Sequence, residues 1–228
     1  MFQIGGPQGG RCVLPGEAPG EICGELMQIA ILLLAALLIG VASLLAQGAV
    51  PGDVALTAFL QGAAGENIRW SLWLTDTAKT PMLFVTMIFA AALAFACGGV
   101  RAALCIPLAF ALSWASDKLL RMLIFVPRPD ADIVTVAAPN VSSGLPSTFG
   151  LVYGALFGAA LMARGAAPLQ RAVRVLVFLV LLAGFAARII PGGHWPSQML
   201  SSLLFGTGLA GASLRLCSKV PRAPRQRG

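Results

Sequence analysis

Charge is scarce in this sequence. Of its 228 residues 11% are charged and 57% are hydrophobic, and the mean hydropathy is +0.84. A soluble domain carries about 25% charged residues, so this chain cannot cover a water-facing surface. Polar–apolar alternation is lacking too. The apolar residues come in long runs, which argues against a transmembrane β-barrel and leaves a bundle of membrane-spanning helices. Histidine occurs once, at His194. The cysteines, Cys12, Cys23, Cys97, Cys105 and Cys217, are odd in number and show no metal-ligand spacing. Cys12 and Cys23 can pair; the other three fall in or beside apolar segments. No metal site and no cofactor is expected. No cleavable leader is evident, because the first apolar run begins near Leu26 and no small-residue cleavage site clearly follows it. There is no internal repeat.

The net charge is +7, yet its distribution does not suit nucleic acid. Arg215, Lys219, Arg222, Arg225 and Arg227 directly follow a hydrophobic segment and no aromatic residues interleave with them, the pattern of a cytoplasmic membrane flank. Residues 1–25, rich in Gly, Pro and Glu, read as a flexible lead-in. Residues 26–216 read as the membrane domain and 217–228 as a basic tail.

Six spans are expected, near 26–46, 81–100, 102–120, 148–162, 175–187 and 195–214. Between the first two, Ile68, Trp70, Leu72, Trp73 and Leu74 lie among Glu66, Arg69 and Asp76. They suggest a short interfacial helix with tryptophan anchors, or equally a loop packed on the bundle. The positive-inside rule puts Arg11, Arg101, the basic loop with Arg164, Arg171 and Arg174, and the tail on the cytoplasmic side. Loops 51–80, 126–146 and 188–194 then share the outer face.

Those outer loops hold three unusual segments: Arg121 to Arg128-Pro129, Gly144 to Phe149, and Ala187-Arg188 to Gln198. The topology was set by loop charges, not by these segments, yet it places all three on one face. Arg121, Arg128 and Arg188 stand at span ends, where a charge is costly unless paired or hydrated, and their guanidinium groups match phosphate oxygens. Ser147 and the N–H groups opening the fourth span add donors toward an anion. His194 follows Gly192-Gly193, where small residues permit close approach of a substrate. Singly, each has a plainer reading: snorkelling arginines, a structural histidine, a helix cap at Pro146-Ser147. A transporter is disfavoured because the charges lie at span ends rather than mid-membrane.

Over residues 50–210 these segments resemble the type 2 phosphatidic acid phosphatase (PAP2) superfamily, whose pattern is K-x6-R-P, then P-S-G-H, then S-R-x5-H-x3-D. Arg128-Pro129 matches the first motif, Pro146-Ser147 the second, and Arg188 with His194-Trp195-Pro196-Ser197 the third. The resemblance implies an all-α, six-span bundle and a phosphohistidine formed on His194. It implies a phosphate cradle of Arg121, Arg128, Ser147, Thr148 and Arg188, with Lys118 assisting. It implies a lipid phosphate or diphosphate substrate handled at the outer face of a bacterial inner membrane, both termini being cytoplasmic.

The departures shape the expected chemistry. Arg121 stands for the family lysine, Phe149 for the histidine that acts as general acid, Ala187 for a serine, and Gln198 for the carboxylate that orients the nucleophile. Loss of a general acid costs roughly 10²–10⁴-fold when the leaving group needs a proton, so a lipid diphosphate, whose phosphate leaving group does not, becomes the favoured substrate. An amide in place of an orienting carboxylate costs about 10⁴ in the serine-protease triad. The alternative is therefore a catalytically impaired relative that binds a lipid phosphate or helps carry it across the membrane. Membrane lipids are the other expected partners; protein partners are not indicated.

Overall fold

The computed structural model describes residues 19–65, 68–164 and 167–218. Most of the expected lead-in, with Arg11 and Cys12, lies outside the described residues, as do Glu66 and the tail residues Lys219, Arg222, Arg225 and Arg227. Among the described residues the regular elements are all helices: α1 (Pro19–Leu45), α2 (Asp53–Ala64), α3 (Arg69–Asp76), α4 (Met82–Leu123), α5 (Thr148–Met162), α6 (Pro168–Ile189) and α7 (Pro196–Ser218). Stretches in α1, α4, α6 and α7 are long and apolar enough to cross a membrane; α5 is apolar but shorter.

The centre of the bundle is α5. It is apolar all round, and every residue from Phe149 to Ala160 is buried, as expected of a helix with no polar face. Its 15 residues make roughly 22 Å at about 1.5 Å each, short of a hydrocarbon core of about 30 Å. Being enclosed by other helices, it need not match the lipid. Its closest partner is α7. A Cβ on Gly154 would collide with the Leu203 carbonyl, and one on Gly206 with the Leu151 carbonyl. Small residues let the two backbones touch, the usual basis of tight helix pairing in lipid. Around this pair α1, α4 and α6 turn apolar side chains outward, among them Leu37, Leu38, Phe84, Ile88, Leu104, Phe178 and Leu182. That belt would aggregate in water and is matched by lipid.

The 42 residues of α4 are not one straight rod. Gly99 is non-helical (φ 70°, ψ −164°), a conformation that side-chain-bearing residues rarely adopt. Phe89 meets the ring of Phe157, and Gly98 abuts Ala163. Arg121 returns to Thr148 at the other end of α5. The halves on either side of Gly99 thus run in opposite directions along α5. The reversal expected at Arg101 occurs two residues earlier, where glycine permits it.

Three stretches differ from expectation. Helix α1 begins at Pro19, so residues 19–25, expected in the flexible lead-in, are helical. Helix α6 starts at Pro168 rather than near Val175, so Arg171 and Arg174, expected in a loop, are helical. Pro168 suits a first helical position, and the Gln170 side chain accepts the Ala167 N–H at 3.1 Å. Arg174 folds back to donate to the Ala163 carbonyl at 2.6 Å. The mixed segment after α1 contains a second helix, α2, ahead of the tryptophan-bearing α3.

Candidate functional site

Three pieces of chain meet at one end of the bundle: loop 124–147, the first turn of α5, and the 190–195 turn joining α6 to α7. Helix α2 ties them together. Gln61 Nε2 donates to the Thr135 carbonyl at 2.7 Å and the Ile190 carbonyl at 3.0 Å, and its Oε1 accepts from Thr135 N at 3.2 Å. Asp53, 4% exposed, accepts from Val50 N, Ser197 N and Ser197 Oγ at 2.9, 2.9 and 2.6 Å. A buried carboxylate needs such donors; here they pin the start of α7, three residues beyond His194.

His194 is 1% exposed. Its Nδ1 lies 2.7 Å from the Gly144 carbonyl and its Nε2 lies 3.2 Å from Arg128 Nη1. A carbonyl only accepts and a guanidinium only donates. The ring is therefore the neutral Nδ1–H tautomer, with the Nε2 lone pair facing the arginines. Burial, then the Arg188 and Arg128 charges, hold the imidazole well below its ordinary 6.5, against a smaller opposing effect of the Gly144 hydrogen bond. Gln198, expected to orient this ring, is engaged elsewhere. Its Nε2 donates to the Pro127 carbonyl at 2.8 Å and its Oε1 accepts from Trp195 N at 3.2 Å. The amide also fills the space beside Gly144, where a Cβ would collide with it. Gln198 thus packs beneath the loop that carries the ring's true acceptor.

The three arginines converge but differ in what they hold. Arg121 Nε pairs with Asp117 at 3.0 Å. Its Nη1 donates to the Ser143 carbonyl at 3.1 Å, and its Nη2 to the Pro146 carbonyl at 2.7 Å and Thr148 Oγ1 at 2.9 Å. Arg128 donates to the carbonyls of Ser142, Ser143 and Gly193 and to Ser142 Oγ. Burial, then Arg188 and Arg121, lower it to about 10, which leaves it cationic at neutral pH. Arg188 is the exception. Its guanidinium lies against Gly193, within 3.2 Å of where a Cβ would stand. Among the described residues its Nε has no hydrogen-bond partner though buried. A buried guanidinium N–H without an acceptor is costly, and this one lies beside the only imidazole.

The second segment divides its tasks. Ser147 Oγ caps α5 by accepting Gly150 N at 3.3 Å, and Ser147 N donates to Ser202 Oγ at 2.8 Å. Ser147 N is thus committed within the protein, while Ser147 Oγ is used there as an acceptor. Thr148 Oγ1 donates to Asp117 at 2.8 Å. Phe149 is buried and stacks on Tyr153 with ring centroids 4.0 Å apart, so nothing at this position can transfer a proton. Lys118 lies outside the cluster: it is exposed, and its ammonium sits 5.8 Å from the Trp114 ring centroid.

No family model matches the chain, and no curated protein matches it in sequence. A solved structure does match: the crystal structure of the first transmembrane PAP2 type phosphatidylglycerolphosphate phosphatase from Bacillus subtilis, at TM-score 0.63 and 16% sequence identity. The match covers 88% of this chain and 99% of the other. The chain has the fold of a transmembrane PAP2-type phosphatase.

On this PAP2 fold, and with its apolar belt, the protein is an integral membrane protein. The PAP2-like segments account for His194, Arg121, Arg128 and Arg188. Three supporting residues escaped the sequence reading, Asp53, Gln61 and Asp117, and the part played by Gly144, the first residue of the second segment, escaped it too. The first two carried a faint signal, as polar residues in a segment otherwise apolar. Asp117 stood one turn before Arg121, the right spacing for an ion pair on one helix face. Gly144 was marked only as part of its segment, since it acts through its backbone carbonyl.

Proposed function

We propose that this protein is a membrane-embedded phosphatase of lipid phosphates that prefers lipid diphosphates and works through a phosphohistidine. The observation that carries the reading is the buried guanidinium of Arg188, whose Nε has no acceptor among the described residues, beside an imidazole whose Nε2 lone pair faces the arginines and is met by Arg128. A phosphoryl group would supply that acceptor. The Nε2 lone pair would form a bond to phosphorus while the bond from phosphorus to the leaving oxygen breaks and the leaving group takes that electron pair. Arg188 and Arg128 would hold the charge on the equatorial oxygens. Water then cleaves the nitrogen–phosphorus bond and releases inorganic phosphate. With Phe149 where an acid would stand, a leaving group that needs no proton turns over best, which favours the terminal phosphate of a lipid diphosphate such as undecaprenyl diphosphate.

In this reading the chain crosses a bacterial inner membrane six times, counting both halves of α4 and the enclosed α5. The site faces outward and both termini are cytoplasmic. A second reading, a lipid-phosphate binder or carrier without turnover, draws on Arg128, whose Nη1 occupies the Nε2 lone pair at 3.2 Å. Phosphate release by the purified full chain in detergent, from a lipid diphosphate and a lipid monophosphate, separates the two. The enzyme reading expects faster release from the diphosphate, loss to background with His194→Ala, and an acid-labile phosphate label on His194. Tight binding without release, lost in Arg188→Ala, establishes the binder instead, and faster turnover of the monophosphate removes the stated preference.

A further inference from the structure

At the end of the bundle away from His194, a second group of arginines surrounds a cavity of about 170 Å³. It is framed by the first half of α1, the α4 reversal at Gly99, and the ends of α5 and α7. Arg101, Arg164 and Arg215 line it, and Glu25 is the one carboxylate in the lining. That carboxylate is shared: Arg164 Nε donates to its Oε1, and Arg215 Nη1 donates to its Oε2 at 3.3 Å. Arg101 is exposed and makes no hydrogen bond or ion pair among the described residues. Three guanidinium groups around one carboxylate leave the wall cationic.

The surface around this cavity faces lipid. Val100 and Leu104, flanking Arg101 on α4, are 60% and 68% exposed, and Leu216 beside Arg215 is 52% exposed. These arginines therefore stand where hydrocarbon gives way to head groups, and a cation at that depth is costly unless paired or hydrated. The remaining wall is apolar, with Met162 and Leu214 in it. Gly211 keeps it open, since a Cβ there would reach within 3.0 Å of Met162 Cε. The volume is below the roughly 300–1,000 Å³ of a drug-sized site, so it suits a phosphate group rather than a whole lipid. A guanidinium fork matches phosphate oxygens, and basic pockets between membrane helices take anionic head groups.

We infer that this cavity seats the phosphate of an anionic membrane lipid from the leaflet opposite the candidate site. Arg101 is its first contact, Arg164 and Arg215 line the wall behind, and the acyl chains lie outside against Val100, Leu104 and Leu216. Bound there, the lipid ties α1, α4, α5 and α7 together at the end the candidate site does not reach. The inference needs only that the chain spans a membrane, so it stands apart from the phosphatase reading.

The test is thermal unfolding of the purified full chain in neutral detergent with phosphatidylglycerol, phosphatidylcholine or inorganic phosphate added. No turnover is measured, so an inactive protein leaves this inference untouched. Phosphatidylglycerol is expected to raise the midpoint by about 5 °C at roughly hundredfold excess over its dissociation constant. Phosphatidylcholine, whose phosphate carries a compensating cation, should raise it much less. The difference should fall by roughly half or more in Arg101→Gln, which breaks no polar contact among the described residues. It should survive Arg188→Ala at the other end and Arg69→Gln, which removes an exposed cation elsewhere. Equal shifts from the two lipids overturn the inference, as does a difference that Arg101→Gln leaves intact or Arg69→Gln removes equally. A difference lost in Arg188→Ala would place the lipid at the candidate site and overturns it too. Inorganic phosphate matching phosphatidylglycerol would mark a soluble-anion site and overturn the lipid assignment.

Discussion

The proton on the His194 ring is placed by a backbone carbonyl. Donation from Nδ1 to Gly144 at 2.7 Å fixes the tautomer that a nucleophilic Nε2 requires, without the negative charge a carboxylate would bring. The surrounding charge then acts unopposed: with Arg188 and Arg128 nearby and water excluded, the imidazole is held well below 6.5. The sign of the consequence follows. A depressed pKa keeps the ring neutral as the pH falls, so the acid limb of kcat/KM should lie below the pH of an ordinary histidine. Arg188→Ala removes a cation that disfavours the imidazolium, so the limb should shift to higher pH while the rate falls. A pH profile of both proteins checks this; an unmoved limb would mean that Arg188 does not act on the ring. Gln198 is a positioning residue in this scheme. Gln198→Ala should lower kcat by freeing Gly144 and Pro127, with less effect on KM, measured on the same substrate.

At the scale of elements, the site depends on the contact between α5 and α7. Ser147 opens one helix and His194 precedes the other, and the hydrogen bond from Ser147 N to Ser202 Oγ at 2.8 Å locks their relative height. The backbones can approach only because Gly154 and Gly206 carry no side chain. Gly154→Leu should overpack the pair at a cost of about 1–3 kcal/mol. Thermal unfolding in detergent should show the lowered stability, and turnover should fall further than the stability loss alone explains. Helix α2 has a comparable task by other means. Asp53→Asn keeps the size but replaces an acceptor that takes three donors with an amide having only one acceptor atom. The expected result is a loosened α7 start and a loss of activity without loss of the bundle.

For the whole molecule, the proposed arrangement fixes which loops face which side. Val141 is 96% exposed in the loop beside the site, and Arg101 is exposed at the opposite end. In a background freed of native cysteines, Val141→Cys should react with a membrane-impermeant maleimide added from outside. Arg101→Cys should react only after the membrane is opened. The reverse pattern would invert the orientation taken from the loop charges.

Much of this was legible in the residue order. Scarce charge and long apolar runs determined a helical membrane protein, because no other structure made of these residues satisfies its backbone in lipid. The spacing of the arginines and the lone histidine marked the proposed site, because those groups identify themselves by side-chain type. What the sequence could not carry was decided by packing. The acceptor that orients His194 is a main-chain oxygen, identical in every residue. Gln198 bonds Pro127 and Trp195, Ser147 Oγ caps α5, and Arg121 pairs with Asp117. Arg188 stands apart from these because no acceptor among the described residues reaches its Nε. Such choices depend on which groups arrive within about 3 Å of one another, and only the folded chain sets those distances.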